Sequence, residues 1–178
     1  MNIRNDNERD FVGLTYDQAV IKYSDTVTRI CVLRCGNEED VKDCYQNVFL
    51  KLYLSKVTFE SREHVKAWLI QVAIHECSDL HRQYWKKNVV LSSDNTLLEI
   101  FGIVKGTEDN SDSVLEIVMS LPMKYRQVIY LYYYEEYKTN EIAQILKINE
   151  STLKSQLARG RKILKSKLGG FSNEEIFI

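Results

Sequence analysis

Proline and glycine are scarce, at one and seven in 178 residues. So few chain breakers leave long stretches free to run as helix. Long apolar runs are missing as well: none approaches the ~20 residues that a membrane span requires. The N-terminal stretch MNIRNDNERDF is too polar for a signal peptide, so a cytoplasmic protein is expected. Net charge is nearly absent, at −1, which argues against a general nucleic-acid coat. No Gly-x4-Gly-Lys phosphate loop occurs, so no ATP-driven step is expected of the chain itself. The four cysteines, Cys31, Cys35, Cys44 and Cys77, form no Cys-x-x-Cys pair. Reduced, buried thiols are expected of them, ahead of disulfides or a zinc cluster.

What is present is unevenly placed. Residues 92–116 hold Asp94, Glu99, Glu108, Asp109, Asp112 and Glu116 against Lys105 alone, whereas residues 151–170 hold Lys154, Arg159, Arg161, Lys162, Lys165 and Lys167 and no acid. A charge average near zero thus hides one basic element, as a local DNA footprint would. Apolar residues recur at helical spacing from Tyr16 to Arg34, where Gly36-Asn37 ends the run, and again over about 38–55 and 63–86. Residues 88–112 lose that period and end in an acidic Gly/Asn/Ser cluster, which reads as a linker whose TLLEIF forms a short helix or docks on a partner. A helix near 113–120 follows, then Pro122 in a first helical turn and a helix to about Tyr134. The expected organisation is all-α: two small helical domains, 1–90 and 113–170, joined by a flexible linker, 91–112, with a flexible tail at 171–178.

Residues 139–168 predict two helices joined by a short turn at Lys147–Asn149, with Asn149 as a side-chain N-cap. The first helix has Ile142, Ala143, Ile145 and Leu146 on its apolar face; the second has Leu153, Leu157, Ile163 or Leu164, and Leu168. The second is the basic element. Thr152, Lys154, Ser155, Gln156, Arg159, Arg161 and Lys162 supply its polar donors. Arginine and lysine neutralise phosphates, and Gln or Arg can bond base edges in a major groove. That combination is a helix-turn-helix with its recognition helix second.

Here a family resemblance enters. Leu121-Pro122, Arg126, Glu141-Ile142-Ala143, Thr152-Leu153-Lys154-Ser155, Leu157 and Arg159-Gly160-Arg161 resemble region 4 of bacterial sigma factors of the extracytoplasmic-function (ECF) group, in the sigma-70 family. Asp40, Asp43, Gln46, Phe49, Lys51 and Tyr53 resemble the first helix of region 2, and Trp68, Leu69, Val72, Ala73, Asp79 and Arg82 the next. Both halves stand in the family's order, over about residues 11–90 and 113–168. The resemblance implies an alternative sigma factor that binds core RNA polymerase and directs it to promoter DNA, with no catalysis, cofactor or small-molecule substrate. It implies core-polymerase contacts at Asp40, Asp43, Gln46 and Phe49, although Phe49 alone would read as plain core. It implies minus-ten contacts in the loop Phe59–His64, through Phe59, Ser61 and Arg62, where a ring stacks on an unstacked base or caps the local core. Minus-thirty-five DNA falls to the polar donors of the second basic helix. An anti-sigma factor, often membrane-anchored in the family, is the implied inhibitor.

The stretch VAIHECSDLHRQYWKK, residues 72–87, opens like a zinc-protease His-Glu-x-x-His motif. An i, i+4 pair lies ~40° apart on a helix and can share a metal. Position 79 is Asp, however, and His81 stands six residues from His75, ~120° around the axis. Cys77 and His81 converge, but nothing else joins them on that flank, so no metal is expected there. The same wheel puts Val65, Trp68, Leu69, Val72, Ala73, Leu80 and Tyr84 on a packed side, with Cys77 at its edge. Gln71, His75, Ser78 and Arg82 lie opposite and lead to Lys86, a stripe suited to minus-ten DNA. Three residues depart from the family: His75 replaces the usual Asn, Gln156 the usual Arg, and Lys147 the usual Gly of the turn. A left-handed Lys147 costs on the order of 1 kcal/mol. Glu76 falls on the apolar side and must pair, reach solvent or mark a bend. The competing functions are a stand-alone helix-turn-helix regulator acting without polymerase, and a metalloenzyme on residues 75–81.

Overall fold

The computed structural model describes residues 10–35, 37–86 and 117–167, apart from the side chains of residues 81 and 83–86. The expected linker, the tail and the Lys86 side chain lie outside the described residues, as do the convergence of Cys77 with His81 and the packing of Tyr84 and Leu168. Six helices of eight residues or more are seen: α1 Tyr16–Arg34, α2 Glu38–Leu54, α3 Arg62–Lys86, α4 Met123–Tyr133, α5 Thr139–Leu146 and α6 Glu150–Lys167. A helical turn at 117–119 precedes α4, and no strand occurs among the described residues. The fold is all-α, and the chain divides into two units between residues 94 and 95.

In the first unit α1, α2 and α3 each pack on the other two. Local chemistry sets their ends. Thr15 and Gln18 form a reciprocal capping box at the start of α1, and the Asn37 side chain accepts the Asp40 amide at the start of α2. The Ser61 hydroxyl accepts the His64 amide at the start of α3. Val27, Val48, Leu52, Val65, Leu69, Ile70 and Ala73 are fully enclosed, each larger side chain adding about 1.5–3 kcal/mol by leaving water. Two tyrosines tie the helices crosswise: Tyr16 donates to the Phe49 carbonyl and Tyr23 to the Arg62 carbonyl.

The four cysteines meet in this core. Cys35 Sγ lies 3.8 Å from Cys44 Sγ and 3.6 Å from Cys77 Sγ, and all four thiols are free and buried. Cys77 is therefore central, not at the edge of the packed side. Glu76 pairs with Lys51 of α2, leaving its own side chain 12% exposed, so pairing resolves its position.

In the second unit α4, α5 and α6 pack together. Pro122 sits at the N-cap of α4 rather than in its first turn. Its carbonyl accepts two amides of that turn, a position in which a missing N–H costs nothing. Arg126 donates to the Leu121 carbonyl through Nε and Nη2, bracing this corner. Lys138 N–H donates to the Glu141 carboxylate at 2.7 Å, the reach-back half of a capping box opening α5. α5 ends with Lys147 at φ 53°, ψ 44°. Its amide bonds the Gln144 carbonyl and the Ile148 amide bonds the Ala143 carbonyl, the pattern of a Schellman turn. Leu153, Leu157, Gly160 and Leu164 then seat α6, with Leu164 rather than Ile163 completing the face. Gly160 has a packing reason: a Cβ there meets Ile129 Cγ1 at 3.1 Å.

Candidate nucleic-acid and partner interfaces

Outward on α6 lie Thr152, Ser155, Arg159 and Lys162, all exposed. Helical spacing brings i, i+3, i+7 and i+10 onto one face, opposite the buried Leu153, Leu157 and Leu164. With Lys124 and Tyr125 of α4, part of this face frames a polar cleft that Gln156 and Arg159 also line. A hydrogen bond from Arg159, then the nearby Lys124, holds the Tyr125 hydroxyl below the ordinary tyrosine range. The Gln156 side-chain oxygen is buried, with no hydrogen-bond partner among the described residues. The other two basic candidates are engaged within the unit. Lys154 pairs with Glu150 at 2.8 Å. Arg161 Nε donates to the Tyr133 hydroxyl at 2.7 Å, and its guanidinium lies over the Tyr132 and Tyr133 rings. Arg161 thus braces α6 on α4, away from the face carrying Ser155. Lys124 and Tyr125 escaped the sequence reading because they precede the helix-turn-helix and become its neighbours only when α4 packs on α6.

In the first unit, Phe59 is half-buried at the centre of an aromatic group. Its ring centroid lies 6.1 Å from Phe11, 5.4 Å from His64 and 5.7 Å from Trp68. Of the neighbouring candidates, Ser61 caps α3 and Arg62 Nε donates to the Val12 carbonyl while remaining exposed. On the α3 stripe His75 is exposed and Gln71 half-buried; Arg82 is exposed and pairs with Asp79. Ser78 departs from the stripe. Its hydroxyl donates to the Ile74 carbonyl and accepts from Arg34 Nη2 at 2.8 Å, so it faces α1 because a buried guanidinium there needs acceptors.

On α2 the four polymerase candidates separate. Asp43 and Gln46 are exposed, whereas Asp40 and Phe49 are each 4% exposed. Asp40 accepts from the Asn37 side chain at the cap, and Phe49 packs on Tyr45 at 4.9 Å. These two support the surface from beneath rather than presenting side chains to a partner. Alongside Gln46 runs an open apolar groove of about 480 Å³ between α1 and α2, walled by Tyr16, Ile21, Tyr45, Phe49, Leu50 and Tyr53. Ile21 is 78% exposed, Leu50 53% and Leu54 61%. Sequence periodicity passes over them because each lies off the buried stripe of its helix; a leucine pair at i, i+4 off that stripe was the available signal.

Two family models match the chain. Residues 19–87 match the family model for sigma-70 region 2 and residues 111–164 that for sigma-70 region 4. The chain is 31% identical over 134 residues to the RNA polymerase sigma factor SigV of Bacillus subtilis, covering 74% of this chain and 78% of that one. It is 27% identical over 158 residues to the ECF RNA polymerase sigma factor SigW of the same organism, covering 82% and 84%. Among solved structures, it resembles the sigma factor RpoE of Bartonella quintana, solved with the anti-sigma factor NepR. There the TM-score is 0.67 at 18% identity, over 86% of this chain and 96% of that one.

Proposed function

The chain belongs to the ECF group of the sigma-70 family, an alternative sigma factor that binds core RNA polymerase and directs promoter recognition, and from that premise we propose how its surfaces divide the work. Core enzyme docks on the exposed side of α2, through Asp43 and Gln46, with Leu50, Leu54 and Ile21 adding apolar area. The observation carrying this assignment is that large aliphatic side chains stand in water beside exposed polar candidates. A contiguous apolar surface with a polar rim is the usual form of a protein-binding face. Asp40 and Phe49 hold that face in shape from inside.

Minus-ten DNA falls to the Phe59–His64 loop and the outer side of α3. The half-buried Phe59 ring, backed by Trp68 and His64, offers a stacking platform. Gln71, His75 and Arg82 continue it with donors, and Lys86 completes the charge. Ser61, Arg62 and Ser78 act mainly as positioning groups. Minus-thirty-five DNA meets Thr152, Ser155, Arg159 and Lys162, joined by Gln156, Lys124 and Tyr125; Lys154 and Arg161 contribute charge while engaged within the unit. Residues 1–90 and 113–170 are thus the functional domains, connected by residues 91–112.

Promoter opening by such a chain uses binding energy alone, so it serves as a regulatory subunit rather than an enzyme. Among the described residues no helix is long and apolar enough to cross a membrane, and we place the protein in the cytoplasm with its polymerase. RpoE is solved with the anti-sigma factor NepR, and CnrH, another similar structure, with the cytosolic domain of CnrY, which supports an anti-sigma inhibitor here. A stand-alone regulator needs only the helix-turn-helix, so it leaves the region 2 match unexplained.

The test is affinity for bacterial core polymerase. Gln46→Ala weakens it several-fold and Leu50→Asp by more than about tenfold, without loss of helicity. Unchanged affinity in both variants removes α2 as the docking face.

A further inference from the structure

We propose that Cys31, Cys35, Cys44 and Cys77 form a tetrathiolate site for a zinc ion at the centre of the N-terminal helical unit. The ligand geometry comes from three helices. Cys35 Sγ lies 3.8 Å from Cys44 Sγ and 3.6 Å from Cys77 Sγ, and the three sulfurs all lie within 4.8 Å of one another. A zinc–thiolate bond of about 2.3 Å sets the edge of a regular S4 tetrahedron at ~3.8 Å. Two edges of the triangle are therefore already at chelating separation.

The fourth ligand comes from one turn earlier on α1. Cys31 and Cys35 are an i, i+4 pair, the spacing at which two side chains of one helix converge on a metal. His75 and His81 fail that criterion, and the two cysteines meet it. Cys31 is buried in the same core, one turn before Cys35, the position from which a fourth thiolate would complete the set. All four sulfurs are buried, as a closed structural zinc site requires. Four thiolates around a divalent ion carry two net negative charges, which a dry core accepts only beside a cation. Arg34 is that cation: 9% exposed and one residue before Cys35. It is oriented by Ser78, the residue after Cys77. Thiolate sulfur with tetrahedral spacing selects zinc or another thiophilic ion over magnesium or calcium.

Bound there, the ion would tie α1, α2 and α3 together at one point. The site would therefore support the polymerase-binding and minus-ten surfaces without touching either partner.

The experiment uses the full chain purified under reducing conditions. Elemental analysis is expected to find one zinc per chain. Exchange for cobalt(II) is expected to give one equivalent with sulfur-to-cobalt charge transfer and the ligand-field bands of a tetrahedral tetrathiolate. Cys31→Ser lowers metal affinity by at least roughly tenfold; Cys44→Ser abolishes the tetrathiolate spectrum. His75→Ala leaves both stoichiometry and spectrum unchanged. Failure of the folded wild-type chain to retain zinc or to take up cobalt, with four free thiols counted after denaturation, overturns the site and leaves four packed thiols. Metal that persists with the wild-type spectrum in Cys44→Ser overturns it equally. Because the cobalt spectrum is read on the wild-type chain, a variant that does not fold leaves the test intact.

Discussion

Lys147→Gly is expected to stabilise the helix-turn-helix, and the size of the effect follows from one backbone angle. Lys147 sits at φ 53°, ψ 44°, where its Cβ crowds the following carbonyl. A residue with a Cβ loses about 1–2 kcal/mol there. Glycine removes that cost but loosens the unfolded chain, which takes back about 0.4–1 kcal/mol. The net gain is about 0.5–1 kcal/mol. Removing the lysine charge near the C-terminal end of α5 also changes a helix-dipole interaction, so Lys147→Ala is the reference: it loses the charge and keeps the Cβ. Both tryptophans, Trp68 and Trp85, lie in the first unit, so the readout is native-state hydrogen exchange at the Leu153 and Leu157 amides of α6. Exchange through opening of the unit slows roughly two- to fivefold in Gly relative to Ala, from ~1.4 kcal/mol per factor of ten. Equal or faster exchange in the glycine variant refutes the claim that this turn is strained.

Other perturbations probe separate parts. Leu153 is fully enclosed, and Leu153→Ala costs about 2–5 kcal/mol, comparable with the whole stability of a unit this small. Promoter-specific output is expected to vanish while affinity for core polymerase remains, and a variant that still directs transcription normally contradicts the packing account. Lys51→Ala strands the Glu76 carboxylate, 12% exposed, and costs about 1–3 kcal/mol in urea unfolding followed by tryptophan fluorescence. Adding Glu76→Gln recovers most of the loss; wild-type stability in the single variant shows that Glu76 reaches water unaided.

The helices were largely legible because their ends are local chemistry. Thr15 with Gln18, Asn37 and Ser61 carry cap signals, and the observed ends of α1 to α3 fall within a residue or so of the periodicity. The left-handed turn is legible too, since Lys147 stands where the family usually has glycine and adopts φ 53°. Contacts between helices were not. Glu76 pairs with Lys51 across a sequence gap of 25 residues, and nothing in α3 alone names that partner. Phe49 and Asp40 look like contact residues in a motif and like core in a structure. The motif preserves the helix face, while only packing decides which side of it is covered. The sequence predicts reduced, buried thiols but not their meeting, for the same reason. Their convergence exists only after three helices cross, and metal spacing rules examine neighbours along one chain segment. Exposed apolar residues such as Ile21 and Leu54 were hidden by averaging, since a helix with a strong buried stripe tolerates a second apolar line without changing its period.

The central claim is that one chain brings core polymerase to a promoter through two separately placed surfaces. Run-off transcription with bacterial core enzyme, on promoters selected from a template library, tests it most directly. Wild-type chain is expected to give promoter-specific transcripts. Arg159→Ala is expected to keep core binding while losing output about five- to a hundredfold, the size of a lost DNA contact. A chain that binds no core enzyme yet holds duplex DNA tightly by itself, as a dimer, would contradict the account and identify a stand-alone regulator.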